Sequence, residues 1–418
     1  MKNQYTSLMF LLLSISLNAQ ERVTVNQGDL SVVSGTEIST YMPFINKNTG
    51  NVISDGDFYF YDDYHNDGLF SYSTNQTTGY VVFEGRANAA QTLSGNAPSF
   101  FYDALFNKVR EDYAFHLTNE LSSAGTVNLL NGVVLMDKEA GGAFIFLKGA
   151  THINTSDASH VDGEVQKEGS DPFSYPIGDK GYYRLASISA PSQQADQYTG
   201  EYRLENSDAL YPHASKSGVL EQIDTNEYWI IEQATPSDKH VTVTLSWDRR
   251  TTPASFVDYP DDLRVVRWDT EQELWVDEGG IVDIASQTVT TLSPVEGYGI
   301  FTLGKAKSHL IHPGDIVIYN GVTPNDDGLN DYFLIDNIHL YPRNTVRIFN
   351  RWGREVFYTE NYDSSGNVFR GVAQGKGVIN KDEQLPTGTY YYVLEYYVTE
   401  GGVERLIKKV GYLHLETE

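Results

Sequence analysis

The sequence predicts an all-β chain, and three observations carry that expectation. Aromatic residues are abundant, with 29 Tyr, 19 Phe and 5 Trp. Together with the β-branched residues, they suit a pleated, half-buried surface. The 36 glycines supply turns. Short apolar runs recur at close spacing with Asn, Gly and Asp between them, the pattern of many short strands. The chain has no cysteine, so stability must come from core burial and not from disulfides. Thirty basic against 56 acidic residues give a formal charge of -26. Such a chain repels phosphates, which argues against nucleic acid as a partner. The acidity suits solubility outside the cell, and acidic loops also suit divalent cations.

Residues 1–19 read as a secretory signal peptide. Lys2 precedes the apolar run Leu8-Met9-Phe10-Leu11-Leu12-Leu13, and small and polar residues close the segment at Asn18-Ala19-Gln20. The run is too short and too interrupted to span a bilayer. Cleavage is expected after Ala19.

Residues 20–160 form the first body region. Its strands are expected at Asp57–Tyr61, Gly79–Gly85, Thr126–Leu129, Gly132–Met136 and Gly142–Leu147. Closely spaced strands with turn signals fit a β-solenoid or a sandwich, and no internal repeat is regular enough to choose between them. Phe101, Leu105, Phe106 and Val109 stand at helical spacing, so the pattern predicts one short helix over 100–112.

Residues 161–304 read as a β-sandwich-like module. Expected strands include Phe173–Ile177, Tyr182–Ile188, Glu227–Ile231, His240–Trp247, Leu263–Trp268 and 296–303. In Leu263–Trp268 the two-residue period places Arg264, Val266 and Trp268 on one face. The small, polar and basic stretch 305–312 is the expected linker.

Residues 313–418 carry an ordered series of motifs. Thr323-Pro324-Asn325 opens a polar loop in which Asn325, Asp326, Asp327, Asn330 and Asp331 supply oxygens around Gly328. Hard cations take six to eight oxygens, so these five residues are candidate Ca²⁺ ligands. A metal-free network of Asx-turns uses the same residues, and the spacing is not that of an EF-hand. Strands are expected at Thr345–Asn350 and Glu355–Tyr358, joined by Arg351-Trp352-Gly353. Leu385-Pro386-Thr387-Gly388 leads into the aromatic strand Thr389-Tyr390 to Val398. A Gly401-Gly402 turn then joins it to Arg405–Leu415.

This order of motifs resembles the gliding motility-associated C-terminal domain, the type B sorting domain of the type IX secretion system of the Bacteroidota. The resemblance rests on Pro324, Asn325, Asp327, Gly328, Asn330, Asp331, Asn350, Arg351, Trp352, Gly353, Pro386, Gly388, Thr389 and Tyr390. It covers about a quarter of the chain and implies a β-sandwich sorting domain. It also implies the type IX machinery as a partner, and an outer-membrane barrel of the PorP/SprF type that holds the protein at the surface. The family pattern has Trp-Asp-Gly where this chain has Phe369-Arg370-Gly371, which puts any role of that acid in doubt here. The Phe173–Asp179 region also looks like a module of large surface proteins from the same bacteria.

The search for catalysis finds no cysteine nucleophile, Gly-x-Ser-x-Gly elbow, Walker loop or His-Glu-x-x-His. Asp62-Asp63 with Asn66-Asp67-Gly68 is the densest acidic cluster of the body, and it reads as solvated or cation-binding. The expectation is therefore a non-enzymatic cell-surface or secreted protein without a cofactor, other than Ca²⁺ if the acidic loop takes it. Its role would lie in adhesion, gliding or a surface complex, with surface polysaccharide or other surface proteins as partners. The alternative is a secreted carbohydrate-active enzyme with the same sorting domain.

Overall fold

The computed structural model describes residues 22–86, 88–110, 112–234, 240–306, 316–325, 330–374, 384–400 and 403–417. The expected signal peptide therefore lies outside the described residues, as does all of the expected linker except Lys305 and Ala306, which still belong to the strand Gly299–Ala306. Strand accounts for 49% of the chain and helix for 4%, which settles the all-β class.

The first region is a β-solenoid. Each coil contributes one strand to each of three parallel sheets. In the first sheet, Thr24–Asn26, Phe44–Asn46, Tyr64–Asn66, Gln91–Ser94 and Tyr113–Leu117 stack in order. The register pairs Thr24 with Phe44, Phe44 with Tyr64, Tyr64 with Leu93 and Leu93 with Leu117. Coil length thus changes along the stack, which is why no regular repeat shows in the sequence. Alternate residues of each strand point inward. Phe44, Phe58, Phe60, Tyr64, Phe70 and Phe83 are fully buried, and Phe60 stacks on Phe83 at 5.4 Å between ring centres. A polar ladder runs beside this column. Asn26 Nδ2 donates to Asn46 Oδ1 at 2.9 Å, and Asn46 Nδ2 donates to Asn66 Oδ1 at 2.8 Å. Each rung satisfies a side-chain amide that burial would otherwise leave unpaired.

The expected helix over 100–112 does not form. Ser99–Phe101 and Asp103–Asn107 are strands of two different sheets, with a corner at Tyr102 between them. Phe101 and Phe106 both reach the core, whereas Val109 is 86% exposed. A strand, a corner and another strand had placed apolar residues at spacings that mimic a helical face.

The solenoid runs directly into the middle module. Val165–Glu168, a strand of the second solenoid sheet, pairs antiparallel with Gln197–Arg203. The same sheet continues through Tyr228–Gln233, Gly299–Ala306, Leu263–Asp269 and Leu274–Asp277. A second sheet is formed by Phe173–Tyr175, Ala186–Ile188, Val243–Ser246, Thr288–Thr290 and Ile281–Asp283. One hydrophobic core continues from Val32 in the solenoid to Leu303 in this sandwich. The sandwich therefore caps the solenoid end, where an exposed coil would leave apolar surface and open strand edges. Within it, Arg184 donates to both carboxylate oxygens of Glu227 at 3.0 Å, and the Tyr202 hydroxyl donates to Glu227 at 2.6 Å.

The C-terminal unit is a five-stranded sheet. Its strands run in the order Gly321–Val322, Val403–Leu415, Gly388–Glu400, Asn344–Phe349, Glu355–Glu360. The long aromatic strand pairs with the final strand over its full length, from Gly388 with Leu415 to Glu400 with Val403. A two-stranded sheet, Val317–Ile318 with Ile335–Asp336, and the segment around Tyr362 and Phe369 complete its separate core.

Candidate functional site

The C-terminal sheet is where the motifs converge. Phe369, in the place of the family Trp, is fully buried. Phe333 N–H donates to the Phe369 carbonyl at 2.9 Å, and the Tyr362 hydroxyl donates to the Phe333 carbonyl at 2.5 Å. This pins the opening loop to the sheet. Arg370 lies over the Tyr332 ring at 5.4 Å, so the base that replaces the family acid packs on an aromatic face. Gly371 has φ +74, and a Cβ there would lie 2.9 Å from Leu415. Both facts favour glycine. The Tyr390 hydroxyl donates to the Pro386 carbonyl at 2.8 Å and holds the entry to the long hairpin, while Thr389 pairs with His414. Gly388 opens that strand.

The acidic loop is described only at its ends. Asp326, Asp327 and Gly328 lie outside the described residues. Thr323 N–H donates to the Asn330 carbonyl at 2.7 Å, Asn325 N–H donates to the Thr323 carbonyl at 2.8 Å, and Asn330 adopts φ 55. These are turn contacts that bring the loop ends together beside Pro324 and Asp331. Among the described residues, no group of three or more acidic or His side chains is placed to hold a metal ion.

Asn350, Arg351, Trp352 and Gly353 form the turn of the hairpin between Asn344–Phe349 and Glu355–Glu360. Asn350 Oδ1 accepts from Trp352 N–H and Arg354 N–H, both at 3.0 Å. Gly353 takes φ +72, a left-handed angle that glycine adopts without a Cβ penalty, and its N–H donates to the Asn350 carbonyl at 2.9 Å. These bonds close the turn. It presents Trp352 to solvent at 74% exposure, with the Arg351 guanidinium 4.2 Å from the centre of a Trp352 ring.

A contact that sequence reasoning missed joins this unit to the sandwich. Lys408 Nζ donates to Glu278 at 3.1 Å, and Arg267 Nε donates to the same carboxylate at 3.0 Å. Val410 packs where a Cβ on Gly279 would stand, at 2.5 Å. Lys408 and Glu278 stand 130 residues apart, and nothing local in the sequence signals that they meet.

In the body, the Asp62–Gly68 cluster is used by the fold. Asp63 accepts from Thr92 N–H at 2.7 Å, Asp67 pairs with His65 at 2.9 Å, and Asn66 is a rung of the ladder. A cleft of about 510 Å³ opens between Glu84, Gly85, Arg86 and Asn88 on one side and residues 107–110 on the other. Its cations serve the fold. Lys108 Nζ donates to the Gly85 carbonyl at 2.7 Å, Arg110 reaches the Asn88 carbonyl, and Arg86 stacks on Tyr41 and Tyr61. Glu84 is the one carboxylate among its described lining residues, and it accepts from Asn107 at 3.1 Å.

The fold and the hairpin geometry thus define a β-rich body joined to a compact C-terminal sheet domain. Residues 316–415 match the family model of the CHU_C type IX secretion signal domain. That match supports export by the type IX secretion system and engagement of its machinery by this domain. No curated protein and no solved structure shows a significant match to the chain.

Proposed function

We propose that this protein is a non-enzymatic cell-surface component. An N-terminal signal peptide takes it across the inner membrane, and the C-terminal domain takes it across the outer membrane. An outer-membrane barrel of the PorP/SprF type then holds it there, and the solenoid and sandwich serve adhesion, gliding or a surface complex. The observation that carries this reading is the sorting-domain match over residues 316–415. The body adds support. Its hydrophobic core runs without a break from the solenoid into the sandwich, as suits a scaffold.

The test deletes residues 313–418 and scores surface labelling with an impermeant reagent, while residues 20–305 are screened against a polysaccharide hydrolysis panel. The expected result is periplasmic accumulation and no turnover, with a defect in attachment or spreading. Normal labelling of the truncated chain, or turnover abolished by changing one carboxylate, overturns the reading.

A further inference from the structure

All five tryptophans of the chain are described, and four of them are core residues. Trp229, Trp247, Trp268 and Trp275 are 0%, 3%, 8% and 0% exposed, against 74% for Trp352. Leaving an indole in water forgoes its burial energy, so this position is not explained by stability of the folded chain. The surroundings are nonetheless built with care. The Asn350 side chain, the positive φ of Gly353 and the hairpin bonds fix the turn, and Arg351 stacks on the indole. Trp and Arg are the residues most enriched where binding energy concentrates, and a rigid presentation lowers the entropy lost on association. Charge narrows the partner. Arg351 is exposed at this tip, on a chain of net charge -26. The carboxylate next along the strand, Glu355, is taken by Arg347 at 2.9 Å. The tip is a local cationic and aromatic feature on an acidic molecule.

We propose that the Arg351–Trp352 tip is a docking surface for an outer-membrane protein of the export or anchoring machinery, one that offers an apolar recess rimmed by carboxylates. Trp352 fills the recess and Arg351 meets the rim. This rests on the sorting-domain reading and goes beyond it by assigning the contact residues and the chemistry of the partner.

The test uses the full chain in the producing cell. Trp352→Ala and Arg351→Glu each lower surface labelling by about tenfold or more, the scale of a strong interface residue. Trp352→Phe retains most of it, and none of the three moves the melting temperature of the purified protein, since both side chains are exposed. A photo-crosslinking amino acid at position 352 gives an adduct with an outer-membrane protein, and Arg351→Glu abolishes that adduct. Full labelling of both disruptive variants overturns the proposal. So does preferential binding of the tip to vesicles containing phosphatidylglycerol, seen as a blue shift of Trp352 emission without a protein adduct, which would assign it to lipid. If display requires the type IX channel and residues 313–418 but not Trp352, the docking proposal fails alone. If display is independent of the channel, the underlying reading fails.

Discussion

Replacing Glu278 by alanine tests whether the sorting domain and the sandwich behave as one body. The Glu278 side chain is 2% exposed and accepts from Lys408 at 3.1 Å and Arg267 at 3.0 Å. Burial alone would raise its carboxyl pKa, but Lys408 and Arg267 outweigh that effect and hold it below the usual range. Burial would likewise lower Lys408, and Glu278, Glu395 and Glu296 outweigh it, so the ammonium pKa is raised. Removing one partner of a buried pair costs about 3–5 kcal/mol, because the other charge stays buried. Two contacts soften the loss here. Lys408 keeps Glu395 at 3.9 Å, and Arg267 keeps Asp269 at 3.4 Å. The expected cost is therefore about 2–3 kcal/mol. For a unit of about 100 residues, each kcal/mol moves Tm by roughly 4–8 °C. Scanning calorimetry should show the transition that melts the sorting domain falling by roughly 8–24 °C at pH 7. Lys408→Met should cost less, since Glu278 then keeps Arg267. The depressed Glu278 carboxyl contributes stability that is present above its unfolded pKa and lost as pH falls through the lower folded value. The raised Lys408 contributes stability that is present below its unfolded pKa and lost as pH rises through the higher folded value. Wild type and variant should differ most between about pH 5 and pH 10, and converge in acid. A change below about 0.5 kcal/mol at pH 7, the size of an ordinary surface substitution, would refute the reasoning.

Asn46→Ala removes the middle rung of the amide ladder, leaving the buried Asn66 Oδ1 with only the longer bond from Gly68 N–H at 3.3 Å. Urea unfolding of the full chain should show a loss of about 1–3 kcal/mol, against almost none for the exposed Thr49→Ala. Asp224 is buried, and its Oδ2 has no hydrogen-bond partner among the described residues. Burial and then the Glu227 charge push its pKa well up, so stability is full below the ordinary Asp pKa and declines as pH rises through the folded value. Asp224→Asn should therefore raise the melting temperature at pH 7, with the gain shrinking toward pH 4. Asp327→Ala combined with Asp331→Ala should lower the melting temperature of the sorting domain. A chelator that lowers the wild-type curve identifies bound Ca²⁺, and identical curves with and without it assign the loop to turn contacts.

What the sequence made legible is what folds locally. Aromatic runs bounded by Gly, such as Tyr80–Phe83, became strands, and the Asn350–Gly353 turn formed where its residues call for one. Residues 100–112 misled because solenoid corners interrupt the two-residue period every few positions. Phe101 and Phe106 enter one core from different sheets, a relation that no linear window contains. Leu263–Asp269 kept its two-residue period. Leu263 and Val265 join one core and Val266 and Trp268 another, and what the alternation alone did not show is that both faces are covered. The exposure of Trp352 was equally hidden. An indole in a strand-rich segment is ordinarily core, and only the fixed hairpin turn shows that it points outward.

The most direct measurement compares the intact protein in isogenic cells with and without a functional type IX channel. The account predicts that an impermeant reagent labels the chain only when the channel works, and that folded protein otherwise accumulates in the periplasm. Equal surface labelling in both strains would contradict it.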